Sequence, residues 1–168
     1  MEIKTKSTRM YSIITLFDMH TNFFQKAIDG ISEKDSHNRL NTKANHVEWL
    51  AGSMVQERFE LAGTLGKEMK QKAYEMFKDH QGIKDDVTYP PLSDFKKDWE
   101  VISPVLRDVL SNLSDEKLDS IFEMPGMPDM KMSYYELITF MTYREASIIG
   151  QIVLWRRLLG YAGIKYDE

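Results

Sequence analysis

The stretch SYYELITFMTYREASIIGQIVLWRRLLG, from Ser133 to Gly160, carries the clearest fold signal in the chain. Its apolar residues recur every three or four positions, the spacing of a helix with one buried face. These residues are Leu137, Met141, Ile148, Ile152, Trp155 and Leu159. Arg144 falls in the same stripe, although a guanidinium is seldom buried unless charge and hydrogen bonds replace its water. The stretch therefore predicts a packed helix in which Arg144 needs a partner.

Three further amphipathic segments precede this helix, and each begins at a residue type that caps helices. They run from Ser7 to about Ile31, from Asn41 or Thr42 to Gly63 or Gly66, and from Ser93 to Leu113. Ser133 followed by Glu136 is a capping box, which specifies where the last helix begins. No segment alternates as a strand does. The pattern predicts an all-α four-helix bundle, one domain over residues 1–168, with a long crossover between the second and third helices.

The composition excludes several classes of function. The formal charge of −4 and the scattered basic residues leave no positive surface for nucleic acid, so we expect no such partner. The chain has no cysteine, which removes disulfides and thiolate chemistry. No apolar run approaches the roughly 18 residues of a membrane span, and the N-terminus has no uninterrupted apolar core. We therefore expect a cytoplasmic protein without a membrane partner.

The histidines give little sign of a metal site. His20 lies in the apolar stripe of the first helix, where a histidine bonded to a nearby acceptor is the simplest expectation. His46 and Glu57 are eleven residues apart, roughly 16 Å along a helix, so one metal cannot bind both. His37 and His80 lie in polar connections, and we expect them to be solvated.

The methionine-rich segment MPGMPDMKM, residues 124–132, allows two interpretations. Its prolines and glycine argue against a helix. The methionines either cover one end of the bundle or form a soft-metal site, and the first reading needs no ligand.

Short phrases in the second and last helices point to a family. The last helix contains Gly150-Gln151-Ile152 followed by Leu158-Leu159-Gly160. The second contains Asn45, Trp49-Leu50-Ala51-Gly52 and Glu57, and the phrase from Leu113 to Leu118 follows the third. In their order and spacing, these phrases resemble the DinB-like (DinB/YfiT) superfamily over nearly the whole chain.

The resemblance implies a four-helix bundle, often dimeric, that holds zinc or nickel on three histidines. Residue by residue, those positions are Ser53, Arg144 and Ile148 in this chain. Serine is a poor ligand for zinc, arginine stays protonated and isoleucine has no donor atom. We therefore expect no metal and no other cofactor, and the thiol-transferase chemistry known in the family would lack its metal.

Arg144 is then the most informative residue, and two readings of it stay open. It either pairs with Glu57, one turn beyond Ser53 on the facing helix, or lies at the edge of the stripe and reaches solvent. A candidate pocket collects the polar residues of this region: Ser53, Glu57, Arg144, His46 and His20.

No residue pattern identifies a reaction, so three functions are weighed. The first is a metal-free binding or regulatory module for a small polar or anionic ligand. The alternatives are a thiol-dependent transferase in which Arg144 stabilises a thiolate, and a structural dimerising protein.

A homodimer is expected on separate grounds. Leu16, Met19 and Phe23 form a second apolar row on the first helix, beside the stripe that contains Phe17 and Phe24. Such a row suits a two-fold interface, or it widens the face that packs on the core.

Overall fold

A computed structural model describes residues 3–124, 126 and 129–166, and these residues are mostly helical. The helices are α1 (Met10–Ile28), α2 (Glu33–Ser36), α3 (Val47–Thr64), α4 (Tyr74–Phe77), α5 (Leu92–Ser111), α6 (Asp115–Asp119) and α7 (Tyr134–Leu158). A short 3-10 turn, Lys78–His80, follows α4. The predicted helical class is therefore confirmed, and the long helices α1, α3, α5 and α7 correspond to the amphipathic segments.

The long helices surround a common core. Helix α1 contacts α5 and α7, and α3 contacts the same two helices, so α1 and α3 occupy opposite corners. Most of the largest fully buried side chains come from α1, α3 and α5, among them Phe24, Met54, Trp99 and Leu106. The tilted ring pair of Phe24 and Trp99, with centroids 4.3 Å apart, joins α1 to α5.

Contacts along each helix pair give the helix directions. On α1 and α7, residues 20 and 27 lie near residues 145 and 156, so these helices are parallel. Residue 45, just before α3, lies near residue 155, and residue 58 of α3 lies near residue 145, so α3 and α7 are antiparallel. Residues 52 and 58 of α3 lie near residues 95 and 103 of α5, which makes that pair parallel. The connection 65–91 must therefore return along the molecule before α5 begins.

Three predicted helix caps are wrong. The Ser7 hydroxyl donates to Asp115 Oδ1 at 2.5 Å, and α1 begins three residues later without a side-chain cap. Leu40 and Asn41 have φ angles of 50° and 56°, which place them in a turn, and His46 caps α3 instead. The cap position of α5 is Pro91 and makes no side-chain bond, so Ser93 lies inside the helix.

The segment before α7 adds a small hairpin that a purely helical prediction leaves out. Strands β1 (Ile121–Glu123) and β2 (Lys131–Ser133) pair antiparallel, with Phe122 opposite Met132. Lys131 and Met132 of the methionine segment belong to β2, and residues 125, 127 and 128 of that segment lie outside the described residues. The capping box of Ser133 and Glu136 is present at the start of α7. Within the described ranges, none of the helices has the length and apolarity to cross a membrane.

Candidate functional site

The crossing of α3 and α7 brings together two ion pairs formed by consecutive residues. Glu57 and Arg58 on α3 face Arg144 and Glu145 on α7. One pair, Arg58 with Glu145, lies in the core, and the other, Arg144 with Glu57, lies at its edge. We call them the inner pair and the outer pair.

Arg58 is the centre of the inner pair and is 1% exposed. Its Nε and Nη2 atoms donate to the two Glu145 oxygens at 2.6 and 2.9 Å. Its Nη1 donates to Thr21 Oγ1 at 2.9 Å and to Ser103 Oγ at 2.7 Å. The rings of Phe17 and Trp99 lie on the guanidinium, with centroids 3.8 and 3.5 Å from Cζ. These contacts from every long helix replace the water that a buried guanidinium loses.

Glu145 receives a second partner from α1. His20 Nδ1 lies 3.2 Å from Glu145 Oε2, and both side chains are buried. Burial alone would raise the pKa of Glu145, but Arg58 and His20 together hold that pKa below its ordinary value. Glu145 therefore stays ionised. Arg58, Glu145 and His20 form one buried cluster in which Glu145 bonds the other two side chains.

The outer pair is less enclosed. Arg144 Nε lies 2.9 Å from Glu57 Oε1, and Arg144 Nη2 contacts the same oxygen. The Arg144 side chain is 43% exposed, whereas Glu57 is buried. Burial raises the pKa of Glu57, and Arg144 offsets only part of that rise. Glu57 Oε2 is buried and has no hydrogen-bond partner among the described residues. Both sequence-based interpretations of Arg144 therefore hold in part: it pairs with a carboxylate, and its guanidinium also reaches solvent.

The apolar periodicity of α7 predicts that Arg144, and not Glu145, faces inward, so the inner pair does not follow from the sequence pattern. A weak signal for the correct register exists. Ile138, Glu145, Ile149, Ile152 and Arg156 follow each other at spacings of seven, four, three and four, and all are buried. A helix turns about 100° per residue, so turning Arg144 inward and turning Glu145 inward differ by a rotation of α7 of only about that angle.

The proposed pocket of five residues does not form as one site. Glu57 bonds Arg144, Ser53 lies one turn before Glu57 on α3, and His20 lies in the inner cluster. His46 lies at the start of α3, eleven residues from Glu57, a distance of roughly 16 Å along the helix. His20 is on α1, diagonal to α3, and so pairs with α7 instead. The grouping of His46 with the other candidates is therefore wrong.

The residues at the family's metal positions do not fit a metal. Arg144 presents a guanidinium to Glu57, and Ile148 is buried among apolar side chains. Ser53 supplies one neutral hydroxyl, which is a poor ligand by itself. In the described part of the chain, no three His, Cys, Asp or Glu side chains are placed to hold a metal ion.

A second polar cluster surrounds the start of α3. His46 Nδ1 accepts from Trp49 N at 3.2 Å, and its ring packs near Tyr89. Burial, with the charges of His37 and Arg39, lowers the pKa of His46 to about 4. His46 is therefore a neutral helix cap.

Glu48 forms the acidic part of this cluster. It is fully buried and accepts from Ser36 Oγ at 2.8 Å. His37 Nε2 lies 2.6 Å from Glu48 Oε2, an ion-pair distance without hydrogen-bond alignment. Burial raises the pKa of Glu48. The expectation that His37 is simply solvated is wrong, because its ring pairs with a buried carboxyl group.

A cleft of about 440 Å³ opens between α3 and the returning segment 68–74. Its lining combines apolar and charged side chains: Gln56, Phe59, Glu60, Gly63, Glu68, Met69, Lys70 and Tyr74. Gln71, which is buried, donates to Gln56 Oε1 at 2.9 Å and to Gly52 O at 3.2 Å. Gln56 in turn donates to Glu60 Oε1 at 2.8 Å, which holds the Glu60 carboxylate at the cleft. Two of its lining residues, Gln56 and Glu60, flank Glu57 on α3, and none of the lining residues belongs to the five-residue pocket.

The sequence matches no family model, and it matches no curated protein.

Proposed function

We propose that the chain is a DinB-like four-helix bundle without the family's metal ligands, and that it acts as a small-molecule binding module. Support for the bundle comes from the four long helices and from the long connection between the parallel helices α3 and α5. Support for a metal-free module comes from the outer pair, in which Arg144 and Glu57 neutralise each other where the family places its metal.

The cleft between α3 and segment 68–74 is the proposed binding site, and its lining is the observation that carries the proposal. Concave sites with apolar walls and a few oriented polar groups are typical of small-ligand binding. Phe59, Met69 and Tyr74 supply the walls, and the bonded Glu60 supplies an oriented carboxylate.

The ligand class follows from the charges in the cleft. Lys70 Nζ lies 4.3 Å from the centroid of the Tyr74 ring, so the chain itself places an ammonium group on this aromatic wall. Glu60 and Glu68 add two carboxylates to the same lining. We infer a ligand with an ammonium group and an apolar body. An anionic ligand is less favoured, because the charge of Arg144 is already balanced by Glu57.

Phenethylamine and 3-phenylpropanoate are suitable probes, because both have an aromatic body and they carry opposite charges. We expect phenethylamine to perturb the NMR signals of the cleft residues and 3-phenylpropanoate to leave them nearly unchanged. Replacing Glu60 by Gln should weaken phenethylamine binding about tenfold, the effect of one charge-assisted hydrogen bond. Replacing Lys70 by Met should strengthen it, because the competing ammonium is removed from Tyr74.

Glu116→Gln is the matched control, since Glu116 is an exposed acid on α6 outside the cleft. It should leave phenethylamine binding unchanged. Equal binding of the two probes, or binding that is indifferent to Glu60→Gln, would contradict the proposal.

A structural dimerising role is a second candidate. The bond between Arg144 and Glu57 favours it, because a guanidinium and a carboxylate that pair with each other can serve packing alone. The thiol-transferase alternative required Arg144 to stabilise a thiolate, and the pairing of Arg144 with Glu57 does not favour that role.

A further inference from the structure

Glu48 and His37 meet at the end of the short helix α2, where the chain turns before α3. The Glu48 side chain is 1% exposed, and the His37 side chain is 37% exposed. His37 Nε2 lies 2.6 Å from Glu48 Oε2, and Ser36 Oγ donates to the other Glu48 oxygen at 2.8 Å. The contact thus joins a buried carboxyl group to an imidazole that reaches solvent.

The other nitrogen of the His37 ring shows where its hydrogen lies. His37 Nδ1 is 2.8 Å from the backbone oxygen of Glu33. A carbonyl oxygen only accepts hydrogen bonds, so Nδ1 carries a hydrogen, and in a neutral imidazole Nε2 is then a bare acceptor. Nε2 nevertheless lies 2.6 Å from a carboxyl oxygen. The contact therefore requires one more proton, on the imidazole or on the carboxyl group.

Loss of that proton makes the contact unfavourable, because the lone pairs of Nε2 and of the carboxylate then face each other. The imidazole is the group that can move, since it lies at the surface and the carboxyl group is enclosed. Movement of His37 toward solvent leaves Glu48 ionised and bonded to Ser36. A buried carboxylate without a cation is unfavourable, so water must then reach it.

The turn between α2 and α3 has an unusual backbone conformation. Leu40 and Asn41 have φ angles of 50° and 56°, in the left-handed region. A leucine is strained there because its Cβ atom comes too close to the following carbonyl oxygen. Contacts hold the turn in this shape, among them the bonds from Arg39 to the backbone oxygens of Lys43 and Ala44 at 2.8 and 2.7 Å. Loss of a contact that holds a strained turn favours a change in its conformation.

We propose that His37 and Glu48 form a proton-dependent latch on the turn 37–45, closed while the pair holds a proton and open once that proton is lost. In the closed state the imidazole covers the buried carboxyl group, and the turn lies on α3. In the open state His37 points to solvent, water reaches Glu48 and the turn relaxes. The latch lies at the start of α3, whereas the cleft is lined by residues between 56 and 63 of that helix. The latch and the ligand proposal can therefore fail separately.

The groups of α2 that face Glu48 agree with this direction of the pH dependence. Burial raises the pKa of Glu48, the bonds from Ser36 and His37 offset part of that rise, and the charge of Glu33 adds to it. The folded chain therefore binds a proton at this pair more tightly than an exposed glutamate does. A proton bound more tightly in the closed state is lost, together with that state, as the pH rises.

His46 titrates in a different range. Its ring centroid lies 5.6 Å from that of His37 and 5.4 Å from that of Tyr89. Burial and the charge of His37 lower the pKa of His46 to about 4. Arg39 acts in the same direction and Asp85 opposes it, and these two side chains pair with each other. His46 is therefore neutral above about pH 5.5, and its protonation does not enter the opening of the latch.

Hydrogen exchange of the full chain, followed by NMR, tests the latch. The amides of Asn38, Leu40 and Thr42 are hydrogen-bonded within the turn. We expect their protection factors to fall about tenfold or more between pH 5.5 and pH 8.5, since each pH unit changes proton binding tenfold. The amides in the middle of α5 should keep their protection.

Glu48→Gln should remove this pH dependence without opening the latch. The amide of the glutamine donates to the bare Nε2 of a neutral His37, so the closed contact no longer needs an extra proton. The three amides should then be equally protected at both pH values. His80→Asn is the control, because His80 is exposed and lies outside the turn. It should show the same loss as the unmodified protein.

His37→Ala is a second variant, chosen at a partly exposed position so that folding is little affected. It should show low protection of the turn at both pH values. Equal protection at pH 5.5 and pH 8.5 in the unmodified protein would overturn the proposal. A tenfold loss that persists in Glu48→Gln or in His37→Ala would also overturn it.

Discussion

Arg58 and Glu145 form a charged contact buried in the core, and their neighbours Glu57 and Arg144 form a more exposed one. The difference arises from surroundings and not from residue type. Arg58 has four hydrogen bonds and two aromatic faces, whereas Arg144 bonds one carboxylate oxygen and reaches solvent. A charge pair costs more to break as water is removed, because losing one partner leaves the other charge buried and unpaired.

Double-mutant cycles should therefore separate the two pairs. Arg58→Met alone should cost about 3–5 kcal/mol of unfolding free energy because it strands a buried carboxylate, and adding Glu145→Leu should recover much of it. Arg144→Met alone should cost roughly 1–2 kcal/mol, reduced by solvent screening, with weaker coupling to Glu57→Leu. Urea unfolding at neutral pH measures both cycles. Independent, additive effects at the inner pair would show that it is not a coupled unit.

His46 should make the protein less stable in acid. Its pKa is about 4 in the folded state against an ordinary 6.5, so the unfolded chain binds the proton more readily between those values. Stability should fall as the pH falls from about 6.5 to 4. The facing charges of His37, Arg39 and Asp85 do not reverse this direction.

The variant His46→Asn keeps a capping side chain and removes the titration. Compared with the unmodified protein, it should lose less unfolding free energy between pH 7 and pH 4.5 in urea titrations. His80→Asn is the control, since His80 is exposed and should leave the pH dependence unchanged. A His46→Asn variant with the full acid sensitivity would place the responsible group elsewhere, with Glu48 and His37 the next to test.

At the scale of the elements, Gly52 lets three segments meet. It lies on α3 where Phe77 of α4 and Phe95 of α5 pack, and a Cβ atom would come within 2.1 Å of Phe77 Cζ and 2.7 Å of Phe95 Cζ. The side chain of Phe77 thus fits over α3 only because that helix has no Cβ at this point. The glycine is required by close approach, since its backbone is helical.

Gly52→Ala should therefore destabilise the protein, by about 1–3 kcal/mol if the two rings adjust. Gly63→Ala, on the same helix, should instead stabilise it by about 0.5–1 kcal/mol, because nothing lies within 4 Å and alanine favours the helix. Thermal unfolding of the two variants gives the comparison. A neutral Gly52→Ala change would mean that α4 detaches easily from α3.

For the whole molecule, stability should not depend on metal. The core draws on every long helix, and the residues at the family's metal positions do not fit a metal ion. We expect elemental analysis to find less than one zinc or nickel per chain, and a chelator to leave the melting temperature unchanged. The chelator control is the same protein with added zinc, which should also melt unchanged. One tightly held metal per chain would contradict this prediction.

The helical class and the approximate positions of the long helices could be predicted because their signals are local. The period of the apolar residues lies within each segment, and the capping box of Ser133 and Glu136 spans three residues. The caps at Ser7, Asn41 or Thr42, and Ser93 were wrong because a capping residue type is common and its bond depends on the surrounding turn. Ser7, for example, bonds Asp115 across the molecule.

The candidate site depended on contacts between distant parts of the chain. Sequence alone singled out Glu57 and Arg144, but it could not decide whether Arg144 or Glu145 faces the core, because that is a rotation of one helix set by its neighbours. Arg58 and Glu145 are 87 positions apart, and Thr21 and Ser103 reach them from two other helices. The cleft also required the return of segment 68–74 over α3. Local periodicity determines that helices form and which broad side is apolar, whereas the rotation and pairing of those helices are decided by packing in three dimensions.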